Sequence, residues 1–269
     1  MSDTEQSIGR YTSGDLRERL HAALRAAGKE PAVLLPGDLG EAEHFHTGGQ
    51  AATAAVAKAL GIGLGTRVLD VGAGLGGPAR FFASLGAVVT GVERDEELVQ
   101  LARELNTASA KSGSVAMLVA PGQRTNLATG SFDTAVMLHV GMNLENKAAV
   151  FAEVHRLLRP GGNFGIFDLM GTNALEYPLP WADAPAASYV EAASAYERYL
   201  RSAGFAIRQD VPGGTMMPAA LPPTGQGGAA AGLEAPILLG ADAGVRISNL
   251  AAALKSGSLT ARLLVALRP

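Results

Sequence analysis

The 269-residue sequence contains no cysteine, so disulfides, thiolate nucleophiles and cysteine-based metal sites are excluded from its chemistry. It also lacks basic runs and any interleaving of basic with aromatic residues. With a net charge of −3 and a pI near 6.0, nucleic acid is not expected as a partner. No apolar stretch approaches the roughly 18 residues of a membrane span. The opening Met1-Ser-Asp-Thr-Glu-Gln is polar and acidic, without the apolar core of a signal peptide. A soluble, cytoplasmic protein without a membrane partner is therefore expected. Internal repeats are missing too. Charged residues are only 17% of the chain against 48% hydrophobic, which argues against disorder and for one large α/β domain with decorations.

Glycine, by contrast, is plentiful, and one cluster of it organises the chain. Arg67 to Val71 is a short apolar run with an acid near its end, the pattern of a buried parallel strand. Gly72, Gly74 and Gly77 follow at G-x-G-x-x-G spacing, and Phe81 to Leu85 continues as a helix. Strand, glycine turn and helix form a nucleotide cradle, because glycine lets the backbone approach a ligand that a Cβ would block. Asp70 narrows the ligand. A carboxylate beside the turn repels the pyrophosphate of a dinucleotide, whereas the sulfonium and ammonium of S-adenosyl-L-methionine (SAM) favour a nearby acid. Glu93 closes the next strand about twenty residues after Gly72, the spacing of an acid that hydrogen-bonds ribose hydroxyls. That ribose is common to SAM and NAD, so Glu93 does not choose between them.

Along the chain, Asp15 can cap a helix to Ala27, with Leu16, Leu20, Ala23 and Leu24 on one face and Gly28 as its stop. Thr47 precedes an alanine-rich helix from about 50 to 60 as a possible cap. Strands are expected at 87–92, 114–119, 132–138, 163–169, 205–210 and 259–267, with helices at 96–109, 147–158, 189–203 and 242–253. Arg159-Pro-Gly-Gly162 should stop the helix before it and turn the chain into the next strand. Repeated strand–helix alternation predicts a parallel sheet covered on both faces, with ligands at the carboxyl ends of its strands, where Asp70, Glu93 and His139 fall. Tyr177-Pro-Leu-Pro-Trp-Ala182 reads as a loop, a candidate lid, and the Pro/Gly/Ala-rich 211–236 stretch as irregular. The organisation expected is a helical cap over 1–60, a cofactor core over 61–170, and a lid with the completion of the same domain over 171–269.

In order and spacing, Asp70-x-Gly72-x-Gly74, Glu93 and Leu157-Leu-Arg-Pro-Gly-Gly162 resemble the class I SAM-dependent methyltransferases. The chain more narrowly resembles their sarcosine/dimethylglycine N-methyltransferase-like subgroup. This likeness rests on Tyr11, Phe45-His-Thr-Gly-Gly49, Gly76-Gly-Pro-Ala-Arg80, His139-Val-Gly-Met-Asn143 and Tyr177-Pro-Leu-Pro-Trp-Ala182. The resemblance implies a Rossmann-like, seven-stranded, mostly parallel sheet with an antiparallel last strand. It further implies SAM as methyl donor and S-adenosyl-L-homocysteine as product. Ala73, Arg94, Leu138, His46 and Thr47 join Asp70, Gly72, Gly74 and Glu93 as its expected cofactor contacts. Where the subgroup carries Gly-Asp-Ala after the third strand, this chain has Ala120-Pro121-Gly122, so the adenine contact falls to Gln123 or to backbone.

Methyl transfer from a sulfonium is an in-line displacement that needs alignment above all, and a base only where the acceptor must shed a proton. His139 is the candidate for that base or for an acceptor contact, with a pocket-shaping histidine as the alternative. Tyr11, Tyr177, Trp181, Met142 and Asn143 are candidate walls of the acceptor pocket, core packing being the plain alternative. His44 and His46 have no acid cluster at ligand spacing, so no metal is expected. A small-molecule methyl acceptor, taken at N or O by a monomer or homodimer, is the main reading. A SAM-fold protein without methyl transfer, cyclase-like or purely binding, and an NAD(P)-dependent oxidoreductase are the alternatives.

Overall fold

Short β-branched runs alternate with amphipathic stretches, and each run becomes a strand of one sheet. A computed structural model describes residues 14–111, 113–215, 233 and 236–269. The strands are β1 (Arg67–Val71), β2 (Val88–Glu93), β3 (Val115–Val119), β4 (Phe132–Leu138), β5 (Leu158–Gly171), β6 (Ala206–Pro212) and β7 (Leu259–Leu267). The helices are α1 (Leu16–Ala26), α2 (Gly49–Leu60), α3 (Gly77–Ser84), α4 (Glu96–Ala108), α5 (Lys147–Leu157), α6 (Ala193–Ser202), α7 (Pro236–Leu239) and α8 (Ala243–Ser256). The sheet runs β3-β2-β1-β4-β5-β7-β6. β1 to β5 pair in parallel, and β7 is antiparallel to both its neighbours.

Alternate residues of each strand feed opposite layers, because side chains in a strand point to opposite faces. Val68, Val136, Phe167, Leu263 and Val265 pack with α2, α3 and α8. Leu69, Met137, Ile166, Leu264 and Ala266 pack with α5 and α6. On a third surface, Leu16, Leu20 and Leu24 of α1 meet Leu98, Leu101 and Leu105 of α4. This seven-stranded, mostly parallel sheet with flanking helices is the Rossmann-like architecture expected. None of the described helices is long and apolar enough to cross a membrane.

Four local expectations change. Asp15 precedes α1 but caps no backbone N–H with its side chain; its carboxylate accepts from Arg19 Nε at 3.0 Å. Residue 48, not Thr47, is the N-cap of α2, and it is a glycine at φ +80°. Arg159-Pro-Gly-Gly162 lies within β5 as an irregularity, because Gly161 donates to the Arg268 carbonyl and Arg268 to that of Gly162. The expected 189–203 helix starts only at Ala193. Residues 189–191 stay extended, since Tyr189 donates to the Met142 carbonyl and Glu191 accepts from Gly171 N–H. Tyr11 and most of the 211–236 stretch lie outside the described residues.

Candidate functional site

The sheet order reverses between β1 and β4, the point at which open α/β sheets take ligands, outside the carboxyl ends of the strands. Two turns meet at this point. Gly72 has φ +72°, and a Cβ there would lie 2.5 Å from Val140 Cγ2, so the turn after β1 packs directly on the turn after β4. Gly74 differs: a Cβ there would meet nothing within 4 Å, which marks open space over the turn for a ligand. Gly77 is pressed against the Glu43 carbonyl. Arg80, buried one turn into α3, secures that approach through Glu43 Oε1 (2.8 Å), the Leu75 carbonyl (2.7 Å) and Asn106 Oδ1 (3.0 Å). The N-terminal segment is thereby fixed against the glycine turn.

Asp70 is 2% exposed, and its Oδ2 has no hydrogen-bond partner. Burial, and then the Glu93 carboxylate, push its pKa up to about 7. Leaving a buried carboxylate oxygen unpaired is costly, so a cationic group beside it is what the site fits. Glu93, at the end of β2, accepts from three backbone N–H groups: Arg94 (2.7 Å), Gly74 (3.2 Å) and Asp95 (3.3 Å). Burial raises its pKa while those amides oppose the shift. Glu93 thus braces the glycine turn from the end of β2. Asp95 caps α4 through Glu97 and Leu98 N–H.

Beyond β4, three histidines cluster. His139 follows β4 in the left-handed region, φ +55°, a conformation unusual for a residue with a Cβ. Its N–H donates to the Phe167 carbonyl (2.8 Å), and its ring lies 5.3 Å from Phe167 and 5.7 Å from His46, centroid to centroid. Nε2 of His139 is 2.9 Å from Thr47 Oγ1. His46 in turn reaches the Thr47 carbonyl with Nδ1 (3.1 Å) and Thr53 Oγ1 with Nε2 (2.9 Å). His44 Nδ1 is 3.0 Å from the same Thr53 hydroxyl. Burial holds all three imidazoles far below the usual histidine range, His44 and His46 to about 4. They are neutral at physiological pH. Among the described residues no group of three or more His, Asp or Glu is placed to hold a metal.

The other expected residues divide. Ala73 and Leu138 are buried, whereas Arg94 and Gln123 are exposed. Met142 is in the core, with its carbonyl taken by Tyr189 N–H. Asn143, on the same turn, has a buried Oδ1 without a partner. Tyr177 donates to Asn173 Oδ1 at 2.6 Å. Trp181 is 2% exposed and its indole N–H is taken by Ser188 Oγ at 3.0 Å. The Tyr177–Ala182 loop is strapped to α8 by Arg246, bonded to the Leu179 carbonyl and to Asp183, and by Asn249 on the Pro178 carbonyl.

Sequence reading missed two supports of the site. Asp168 on β5 is fully buried and accepts from Gly141 N–H (2.7 Å), Tyr196 OH (3.0 Å) and Leu169 N–H (2.9 Å); burial raises its pKa to about 6. It fixes the turn that carries His139. Its signal was available: an acid inside the apolar run Phe164–Met170 has to be paired. Thr53, inside an alanine-rich helix, gave no comparable signal.

Comparison with known proteins follows this geometry. Residues 69–166 match the family model described as "Methyltransferase domain". Cycloartenol-C-24-methyltransferase 1 of Oryza sativa subsp. japonica is 30% identical over 122 residues, which cover 45% of this chain and 36% of that protein. The chain spans about a third of the length of the curated relatives it matches. Among solved structures, the [4+2]-cyclase SpnF superposes with a TM-score of 0.67 at 19% identity, over 97% of each chain. Phosphoethanolamine N-methyltransferase 2 of Haemonchus contortus gives 0.69 at 18% identity, over 100% of this chain and 60% of that one. At such identities the structures speak for the fold. Family match over residues 69–166, glycine turn and sheet order agree: this part of the chain is similar to a methyltransferase domain, and the chain has the fold of the superposed structures.

Proposed function

We propose that the protein transfers a methyl group from SAM to a nitrogen or oxygen of a small molecule. The observation that carries this reading is the buried, unpartnered Asp70 Oδ2 beside open space at Gly74, a pairing suited to a cationic nucleoside and ill suited to pyrophosphate. Asp70, Glu93 and the backbone of Gly72 to Gly74 would hold the cofactor, with Ala73, Arg94, Gln123 and Leu138 around its nucleoside and His46 and Thr47 on the far wall. When bound, SAM supplies an electrophilic methyl on a sulfonium. The chain's own part is to exclude water and align the acceptor. His139 and Asn143, on the turn after β4, are the acceptor contacts, with Tyr11, Met142, Tyr177 and Trp181 as further pocket residues. Asp168 keeps that turn in place. The net charge of −3 without basic runs speaks against a nucleic-acid partner, and a cytoplasmic monomer or homodimer without a membrane partner is part of the proposal.

A second reading keeps SAM but not the transfer, as a cyclase-like enzyme or a binding module. Pro121 favours it, standing where the resembling subgroup carries an acid that holds adenine. Calorimetry with SAM, S-adenosyl-L-homocysteine and NAD tests the cofactor, and NAD binding in place of SAM would overturn it. A labelled-methyl screen of amines, amino acids and phenols tests the transfer. Tight SAM binding with no labelled product from any class would favour the second reading.

A further inference from the structure

Lys147 opens α5 and is 1% exposed. Its ammonium has three protons, and three acceptors take them: the Leu144 carbonyl (3.0 Å), the Tyr189 carbonyl (2.6 Å) and Glu191 Oε2 (2.9 Å). The Tyr196 ring centroid is 5.6 Å from the same nitrogen, and the hydroxyl of that tyrosine donates to Asp168 Oδ2. Tyr199 OH donates to the other oxygen of Glu191 at 2.9 Å. Arg262, across from Asp168 on β7, is turned to Asp210 instead. Anion, cation and anion therefore alternate from Asp168 through Lys147 to Glu191. A buried cation is costly to keep where an apolar side chain would fill the space. What the cation adds is a hold on particular backbone groups.

Those groups belong to one turn and one returning segment. Gly141–Asn143 is a 3-10 turn, closed by Leu144 N–H on the Gly141 carbonyl at 3.0 Å. At its start Gly141 N–H donates to Asp168, and at its end the Leu144 carbonyl accepts from Lys147. An anion holds the donor end and a cation the acceptor end, both through charge-assisted hydrogen bonds. The returning segment meets the same nitrogen. Tyr189 N–H is on the Met142 carbonyl (2.9 Å), and Gly171 N–H closes on the Glu191 carbonyl (3.0 Å). Ser188, one residue earlier, holds the Trp181 indole.

We propose that Lys147 is a positioning residue for the acceptor side of the site: with Asp168 and Glu191 it fixes the turn after β4 against the segment that returns from Trp181. Its hydrogen-bond partners lie at residues 144, 189 and 191, none of them in the glycine turn. Resting on the methyl-transfer reading, Lys147 sets the position from which His139 and Asn143 meet the acceptor, while its own nitrogen stays enclosed by protein.

The test needs no substrate. Valine precedes glycine only at 71–72 and 140–141. The full chain labelled with carbonyl-13C valine and 15N-glycine therefore gives two carbonyl-correlated amide signals, one from each turn, and Val140→Ala assigns them by removing that of Gly141. Lys147→Met should displace the Gly141 signal and leave that of Gly72 in place. In wild type the Gly141 signal should follow Asp168, with a midpoint of about pH 6. Lys147→Met should move that midpoint upward, because the cation that favours the carboxylate is gone. Its SAM Kd by calorimetry should stay within about twofold of wild type. A Gly141 signal unmoved in position and midpoint would overturn the proposal. So would an equal displacement of Gly72 or a matching loss of SAM affinity, either of which would make Lys147 a general support of the fold. Glu191 is partly exposed, so Glu191→Gln is the milder break. It too should displace Gly141 alone, and an unmoved signal there overturns the proposal even if Lys147→Met does not fold. If wild type binds no SAM, the methyltransferase reading falls and the two glycine signals still decide the role of Lys147.

Discussion

SAM binding should expel a proton from Asp70. The folded chain holds this carboxyl at a pKa of about 7, so near pH 6 only about a tenth of the molecules present it ionised. A sulfonium or ammonium beside Oδ2 favours the ionised form and draws the pKa back toward the ordinary carboxylate range. With the ionised form as the competent one, the apparent Kd varies inversely with its fraction. Between about pH 6 and pH 8 that fraction rises roughly tenfold, so SAM should bind about tenfold tighter at the higher pH, or about 1.4 kcal/mol. Close to one proton per site should leave near pH 6. Calorimetry in paired buffers of different ionisation enthalpy gives both Kd and the proton count. The ammonium of the cofactor adds a slope of its own, and Asp70→Asn removes only the part that belongs to the protein. A Kd flat with pH refutes the reasoning, as does a proton count that Asp70→Asn leaves unchanged.

Glu93→Ala should weaken SAM binding by roughly 1–3 kcal/mol through lost charge-assisted hydrogen bonds. Because Glu93 also braces Gly74, Arg94 and Asp95 N–H, the melting temperature should fall with it; unchanged affinity in a folded variant would remove Glu93 from the site. Gly72→Ala should destabilise by roughly 1–3 kcal/mol, since its Cβ meets Val140 in a left-handed turn. Gly74→Ala meets no protein atom within 4 Å but sits at φ +51°, so it carries left-handed strain without a clash; it should destabilise less than Gly72→Ala while lowering SAM affinity, and thermal melts and calorimetry on the pair check the contrast. His44 titrates near 4 when folded and near 6.5 when unfolded, so the unfolded chain binds more protons between those values. Its contribution is present above about pH 6.5 and declines by up to about 3 kcal/mol toward pH 4. Asp70 and Asp168, with raised pKa values, give the opposite slope, and His44→Gln should make denaturant midpoints fall less steeply with acid. His139→Ala should lower turnover more than SAM affinity, and wild-type values for both would make the histidine structural.

The sheet was legible because its signals are local. Arg67–Val71, Phe132–Leu138 and Leu259–Leu267 are bounded as strands where the apolar runs end, and Asp70, Glu93 and His139 fall at strand ends because the topology puts ligands there. What was not legible depends on contacts far apart in sequence. Thr47 looks like a helix cap by position, yet its hydroxyl meets His139, 92 residues away. Arg159-Pro-Gly-Gly162 has turn composition, but Arg268 supplies the partners that draw it into β5. Residues 189–191 read as helix until the backbone of Met142 and Gly171 claims their hydrogen bonds. Trp181 and Tyr177 gave aromatic signals that fit a pocket wall and a core alike, and only Ser188 and Asn173 show what their polar atoms bond.

The strand order has a consequence in time. β7 lies between β5 and β6, so β6 has no place on the sheet until Leu259–Leu267 has been made. On the ribosome, β5 therefore waits with one row of backbone groups unpaired and Phe164, Ile166 and Leu169 incompletely covered. A waiting edge of this kind is where nascent chains stick to one another. Ribosomes stalled anywhere between Gly171 and Leu259 should hold a chain that chaperones still bind, and release from the chaperone should coincide with emergence of β7. The cradle around Gly72 is made well before β7, but its sheet closes only when Asn163 to Gly171 meet Leu267 to Leu259.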